Sequence, residues 1–187
     1  MKGKILVTYK SITGFTREYA EMIAHELDAV LMDFKQAAVQ TMLDFDIVIF
    51  GGRMHAGTVD GLKQAKELFH QSKASHFIVF ATGACPNEGR EIIEEMWRRN
   101  LSDSEQKKIP HFYMQSGLRY EKMPFSDKMM MKVFCFMLKR KKTKDPADAQ
   151  MMQAISGSYD VSSRTYITPL LTCVRNLVEN PPTQKNA

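Results

Sequence analysis

Cysteine is scarce in this chain of 187 residues, which holds only Cys85, Cys135 and Cys173. They are far apart, form no CxxC pair and stand at no zinc-ligand spacing to histidine, so neither a disulfide framework nor a metal site is expected. An odd, scattered set fits a reducing compartment, and a cytoplasmic location is the expectation. Long apolar runs are missing too. None reaches the roughly 18 residues of a bilayer-spanning helix, and Met1-Lys2-Gly3-Lys4 leads into a strand-like run without the apolar core of a secretory signal. GxGxxG is absent, which disfavours dinucleotide binding. No glycine precedes Lys10-Ser11 at Walker A spacing, which disfavours triphosphate hydrolysis. Disorder is also excluded, since 44% hydrophobic and 25% charged residues is ordinary globular composition.

The net charge of +5 is concentrated in one place. Residues 118–145 carry nine Lys/Arg against three acids, and the remainder nets −1. No nucleic-acid recognition motif accompanies the basic segment, so no nucleic-acid partner is expected.

Apolar runs at Ile5–Tyr9, Val30–Met32, Asp46–Gly52, His76–Thr82 and His111–Met114 read as strands. Helical patterns lie between them, with Tyr19, Ile23, Ala24 and Leu27 on one stripe, then Asp60–Phe69 and Arg90–Arg99. In the last, Ile92, Ile93, Met96 and Trp97 form the predicted apolar face. Short, wholly apolar strands alternating with helices predict an α/β fold with a doubly wound parallel sheet covered on both faces. One domain over residues 1–180 is expected, with a frayed tail at 181–187 and an insertion at about 118–160 near the fifth strand. Within the insertion, Phe125–Leu138 and Asp145–Ala154 read as helical and Tyr159–Val161 as extended, and Tyr166–Val178 reads as the final helix. In open sheets of this kind ligands sit beyond the carboxyl ends of the strands, so the turns after strands one, three and four should carry the chemistry.

The first of these turns contains Ser11-x-Thr13-Gly14-x-Thr16. A turn that opens a helix gathers unpaired backbone N–H groups and the positive end of the helix dipole, which suits an anion. The hydroxyls of Ser11, Thr13 and Thr16 can donate to phosphate oxygens, Gly14 permits close backbone approach, and Ile12 and Phe15 complete the loop. The bland alternative is helix capping by the same residues.

This motif resembles the FMN-phosphate loop of flavodoxins. Gly117-Leu118-Arg119-Tyr120 followed by Asp127-Lys128-Met129-Met130-Met131-Lys132 makes the chain similar to the flavodoxin-domain proteins related to bacterial menaquinone-dependent protoporphyrinogen oxidase, over about residues 4–178. The resemblance implies a flavodoxin-like fold of strand order 2-1-3-4-5, the order for which flavodoxin with FMN is the type example, an FMN cofactor and a one- or two-electron redox role. It also implies that Gly52, Arg53, Met54, His55, Ala56 and Gly57 pass the flavin ring on one side. Thr82, Gly83, Ala84, Cys85, Pro86 and Asn87 would line the other. Neither loop holds the aromatic residue that electron-carrier flavodoxins commonly stack on the ring, leaving Met54 or Tyr120 as substitutes. Arg53 and His55 are the candidates for electrostatic or proton-transfer roles, against the alternative of plain loop residues. Cys85 has no nearby resolving thiol and reads as a small loop residue.

The helix Phe125–Leu138 is apolar around most of its circumference, with Lys128 and Lys132 one turn apart. Its cover could be the domain itself, a homodimer partner, or a membrane surface contacted through residues 125–144, at the inner face of the membrane. Three functions stay open: an FMN-dependent oxidoreductase acting on a quinone or porphyrinogen, a flavodoxin-type electron carrier, and a flavin-free interaction module.

Overall fold

The computed structural model describes residues 4–140 and 157–179. The helix expected at Asp145–Ala154, the cations Lys141, Lys142 and Lys144 and the tail 181–187 lie outside the described residues.

Strand β1 (Ile5–Lys10) lies between the edge strand β2 (Val30–Asp33) and the central strand β3 (Ile47–His55), followed outward by β5 (His76–Gly83) and β6 (His111–Gln115). All of these pairings are parallel. A short β4 (Thr58–Val59) pairs antiparallel with the end of β3. Omitting that hairpin arm, the order is the expected 2-1-3-4-5.

Side chains alternate between the two faces, as strand geometry requires. On one face Val7, Ile49, Ile78 and Phe80 pack under α1 (Phe15–Leu27) and the final helix, here α7 (Thr168–Glu179), whose Leu170, Leu171 and Val174 are buried. On the other, Leu6, Val48, Phe50 and Val79 lie beneath α2 (Val39–Met42), α3 (Leu62–Gln71) and α4 (Arg90–Asn100), which contribute Met42, Leu62 and Trp97. Each wholly buried large aliphatic or aromatic side chain is worth about 1.5–3 kcal/mol. The two-sided burial explains why these strands read as continuous apolar runs.

Three local departures from the sequence expectation have physical causes. Strand β3 continues past Gly52 to His55, because the chain turns back at Ala56 and Gly57 into β4 instead of leaving the sheet as a loop. A helix α5 (Asp103–Lys108) follows α4, started by a capping box in which the Ser102 hydroxyl accepts from Glu105 N–H and the Glu105 carboxylate accepts from Ser102 N–H. Ile92, predicted on the apolar face of α4, is exposed, whereas Met96 and Trp97 are buried as predicted.

The insertion leaves and re-enters the domain through a narrow neck. There β7 (Gly117–Leu118) pairs antiparallel with β8 (Tyr159–Asp160), with Gly117 opposite Asp160 and Leu118 opposite Tyr159. Helix α6 (Phe125–Arg140) belongs to this insertion and reaches back over the carboxyl ends of the strands.

Gly51 sits in β3 opposite Phe80, and a Cβ there would overlap the Phe80 ring. Gly51→Ala is therefore expected to destabilise the protein by about 1–3 kcal/mol through overpacking, seen as a lower urea midpoint with an unchanged m-value.

Candidate functional site

The loop after β1 turns into α1 through Gly14, whose φ of 102° is a left-handed conformation that side-chain-bearing residues rarely adopt. The Ser11 hydroxyl accepts a 3.2 Å hydrogen bond from Gly14 N–H and so holds the turn closed. Beyond it, the amides of Phe15, Thr16 and Arg17 open the helix and have no intrahelical acceptor. This end of α1 therefore presents donors and positive potential. The Thr16 hydroxyl points inward: it is buried and shares a 2.8 Å hydrogen bond with the Thr82 hydroxyl, tying the first loop to the end of β5. Ile12 is exposed.

The second loop is the tip of the β3–β4 hairpin. Ala56 at φ 49° and Gly57 at φ 82° are the two central residues of a tight turn between His55 and Thr58, the pattern of a type I′ hairpin. Ala56 is strained there, next to His55, and strain of this kind collects at functional sites. Gly52 lies back in β3, against the Asp60 carbonyl. The Arg53 guanidinium is held between two carboxylates: Nε donates to Asp60 Oδ2 at 2.6 Å and Nη1 to Asp127 Oδ2 at 2.5 Å. His55 Nε2 stands 3.4 Å from Asp127 Oδ1 without hydrogen-bond geometry, and is a buried nitrogen lacking a hydrogen-bond partner among the described residues.

The third loop follows β5. Tyr113, on β6, donates its hydroxyl to the Cys85 carbonyl at 2.9 Å, and Asn87 N–H donates to Gln115 Oε1 at 3.3 Å. Burial, then the neighbouring Cys85, pushes the Tyr113 phenol far above its ordinary range. Burial, then Glu88, pushes the Cys85 thiol up, so it stays protonated and weakly nucleophilic at neutral pH. Pro86 holds the loop through its carbonyl, which accepts from Gly89 N–H.

These loops enclose a cavity of about 220 Å³ at the carboxyl end of the sheet. Thr13 and Phe15 line it from the first loop, Arg53 through Ala56 from the second and Thr82 through Ala84 from the third. Ser11, Ile12, Gly14, Thr16, Gly52, Gly57, Cys85, Pro86, Asn87 and Tyr120 do not line it, although all but Tyr120 belong to the same three loops; Tyr120 follows β7 in the neck of the insertion.

Sequence reasoning missed two parts of the wall. Ser116, Gly117 and Leu118 close the side beneath the neck, and the roof is Met123, Asp127, Met130 and Met131 from the insertion. Asp127 is the one acid between Ser126 and Leu138, and that isolation was the available signal. Its side chain is only 9% exposed. Burial raises its pKa, but the Arg53 hydrogen bond and charge, with His55, outweigh this and hold the carboxyl below its ordinary value. A larger hollow of about 640 Å³ lies at the amino end of the sheet, between the ends of α1 and α7. It is at the opposite end from where such sheets place ligands. Among the described residues no cluster of His, Cys, Asp and Glu could hold a metal ion.

Fold and site together define a doubly wound α/β domain with unpaired amides at its first turn and a cavity at the topological switch point. A family model described as a flavodoxin domain matches residues 6–146, and the chain belongs to that family. Solved structures are similar at low identity. A WrbA-like flavodoxin from Agrobacterium tumefaciens is 17% identical, over 59% of this chain and 83% of that one, with a TM-score of 0.40. Oxidised flavodoxin 2 from Bacillus cereus is 23% identical, over 59% and 84%, at 0.38. A flavoprotein in complex with FMN from Lactobacillus acidophilus is 15% identical, over 60% and 92%, at 0.38. No curated protein matches the chain.

Asp127→Asn removes the charge that faces Arg53 and His55. It is expected to cost about 1–3 kcal/mol at pH 7. Because the folded-state pKa of Asp127 is depressed, its contribution is complete above the unfolded value of about 3.9 and is lost as pH falls through that value and then the folded one. The stability gap between wild type and variant in urea titrations should therefore close as pH falls below about 4.

Proposed function

We propose that the chain binds FMN at this cavity and acts as an oxidoreductase, exchanging electrons with a quinone- or porphyrinogen-like partner. The carrying observation is that one cavity runs from the open amino end of α1 to the Arg53–His55–Asp127 cluster. The residues present fit the cofactor. The first turn offers unpaired amides and the Thr13 hydroxyl, and His55 Nε2 is a buried ring nitrogen in the cavity wall with no hydrogen-bond partner among the described residues. The amides of Phe15 and Thr16 with the Thr13 hydroxyl would hold the phosphate; Arg53–Ala56 and Thr82–Ala84 would flank the ring. FMN, when bound, supplies one- and two-electron transfer. The chain's own part is positioning: Arg53, clamped between Asp60 and Asp127, fixes the cavity wall beside the ring, and His55 can hold a proton at Nε2.

At about 220 Å³ the cavity is smaller than the roughly 300–1,000 Å³ usual for sites of this kind. Its roof is three methionines, Met123, Met130 and Met131, unbranched side chains that can move aside to admit a ring. A single domain over 1–180 that includes the insertion is part of this reading, since α6 completes the cavity wall.

The choice of a lipid-soluble electron partner over a protein one rests on the outer face of α6. Phe125 (78% exposed), Phe136 (55%), Val133 and Met129 form an exposed stripe, with Lys128, Lys132 and Arg140 on the same helix and the Arg140 guanidinium over the Phe136 ring. Apolar side chains flanked by cations suit the headgroup region of an anionic bilayer. Among the described residues no helix is long and apolar enough to cross a membrane, so such contact would be peripheral. A carrier that docks on proteins would use the basic segment by charge complementarity instead, and a homodimer would bury the same stripe.

Two measurements check this. Titration of the purified protein with FMN should give bound-flavin absorbance bands; the oxidised flavin should then be reduced anaerobically by protoporphyrinogen, and the reduced form should be reoxidised faster by menaquinone analogues than by substrate-blind acceptors. Absence of a bound flavin at saturating FMN rejects the redox function. Co-sedimentation with anionic vesicles should weaken with salt and with Phe125→Ser/Phe136→Ser, while neutral vesicles bind little. Binding that is indifferent to both changes, or dimerisation that buries α6, rejects the membrane contact.

A further inference from the structure

The phosphate-binding turn carries no charged side chain of its own in Ser11–Thr16, yet a guanidinium from the insertion neck lies directly on it. Arg119 Nη1 is 2.9 Å from where a Gly14 Cβ would stand and donates to the Thr13 carbonyl at 3.3 Å. The guanidinium carbon is 3.9 Å from the centre of the Phe15 ring, so the group stands over the loop. Lys122 Nζ lies 4.0 Å from the same Gly14 position. Two cations therefore converge on the open end of α1.

Glu18, in the first turn of the same helix, engages Arg119 through both carboxylate oxygens, at 2.5 and 2.8 Å, and Asp160 Oδ2 accepts from Nη2 at 2.8 Å. Only 16% of the Arg119 side chain is exposed, while Glu18 is substantially exposed. Glu18 and a phosphate monoester are thus two anions drawn to one helix end and one guanidinium, and they repel each other. The Nη hydrogens of Arg119 are taken by Thr13, Glu18 and Asp160, so a phosphate oxygen would take the place of Glu18 on a fork that stays charged.

We infer that Arg119, carried to the loop by the insertion neck, is the residue that makes this site select a phosphorylated flavin over its unphosphorylated form, with Glu18 as the internal anion that the phosphate competes against. The inference rests on the FMN reading above. A neck that only staples the insertion to α1 would need the Arg119–Glu18 and Arg119–Asp160 pairs but would be indifferent to the ligand's phosphate.

The test compares FMN and riboflavin binding by quenching of flavin fluorescence in wild type, Arg119→Gln and Glu18→Gln, each with a thermal melt. Wild type should bind FMN more tightly than riboflavin. Arg119→Gln should weaken FMN by about tenfold or more, the scale of a lost charge-assisted contact, with riboflavin changed by less than about threefold. It should also flatten the salt dependence of FMN binding. Glu18→Gln should tighten FMN and leave riboflavin unchanged, the opposite sign from losing a staple. Equal weakening of both flavins by Arg119→Gln, or weaker FMN binding by Glu18→Gln, overturns the inference while leaving FMN binding intact. If wild type binds neither flavin, the FMN reading fails and this inference falls with it.

Discussion

The ion pair between Arg53 and Asp127 is the contact on which the geometry of the site depends. It joins residues 74 apart in sequence, one on the central strand β3 and one on the insertion helix α6, at 2.5 Å. Its partners are largely out of water, and a pair in such surroundings holds position more firmly than a surface pair would. Because Asp60 holds the other side of the same guanidinium, Arg53 cannot swing to solvent without abandoning two carboxylates. The roof of Met130 and Met131 is thereby fixed over the turn that carries His55.

A single connection would leave the insertion free to pivot, and the neck supplies the second. Gly117 lies so close to the Tyr159 carbonyl that no Cβ fits between them, which lets β7 and β8 pair at minimal separation. Arg119 then spans from the neck to the first turn of α1, touching Asp160 on one side and Glu18 on the other. The insertion is held at its base by Arg119 and at its helix by Asp127. Both contacts are ionic, and both end on loops of the cavity. An appendage held by apolar packing alone would have no reason to place its charged groups there.

How much of this was legible in the sequence follows from the range of the forces involved. The parallel sheet was legible because burial on both faces leaves a mark within each strand, as in Ile47–Phe50 or Phe77–Ala81, and the apolar runs ended where the glycine-bearing turns began. The first turn was legible for the same reason: Ser11, Thr13, Gly14 and Thr16 are close in sequence and their backbone demands are local. What could not be read was the direction of a hydroxyl, since Thr16 faces Thr82 on another strand. The roof over the cavity was equally hidden, because Asp127 finds its partners only after folding. The Ser102–Glu105 capping box and the continuation of β3 to His55 were local signals; the first was overlooked, and the second was obscured by the polar residues of the hairpin tip.

Charge distribution links the cavity to the outer surface. The inward side of α6 presents its single acid to Arg53 and His55, while the outward side keeps Phe125 and Phe136 exposed beside Lys128 and Lys132. Placing Asp127 outward would leave Arg53 with one carboxylate; placing the phenylalanines inward would displace the flexible methionines that roof the cavity. In the observed setting the helix turns its acid to Arg53 and His55 and its methionines to the cavity. In that setting the residues closest to the cavity and those most exposed to an apolar partner lie on a single rigid element, less than a helix diameter apart, on the order of 10 Å.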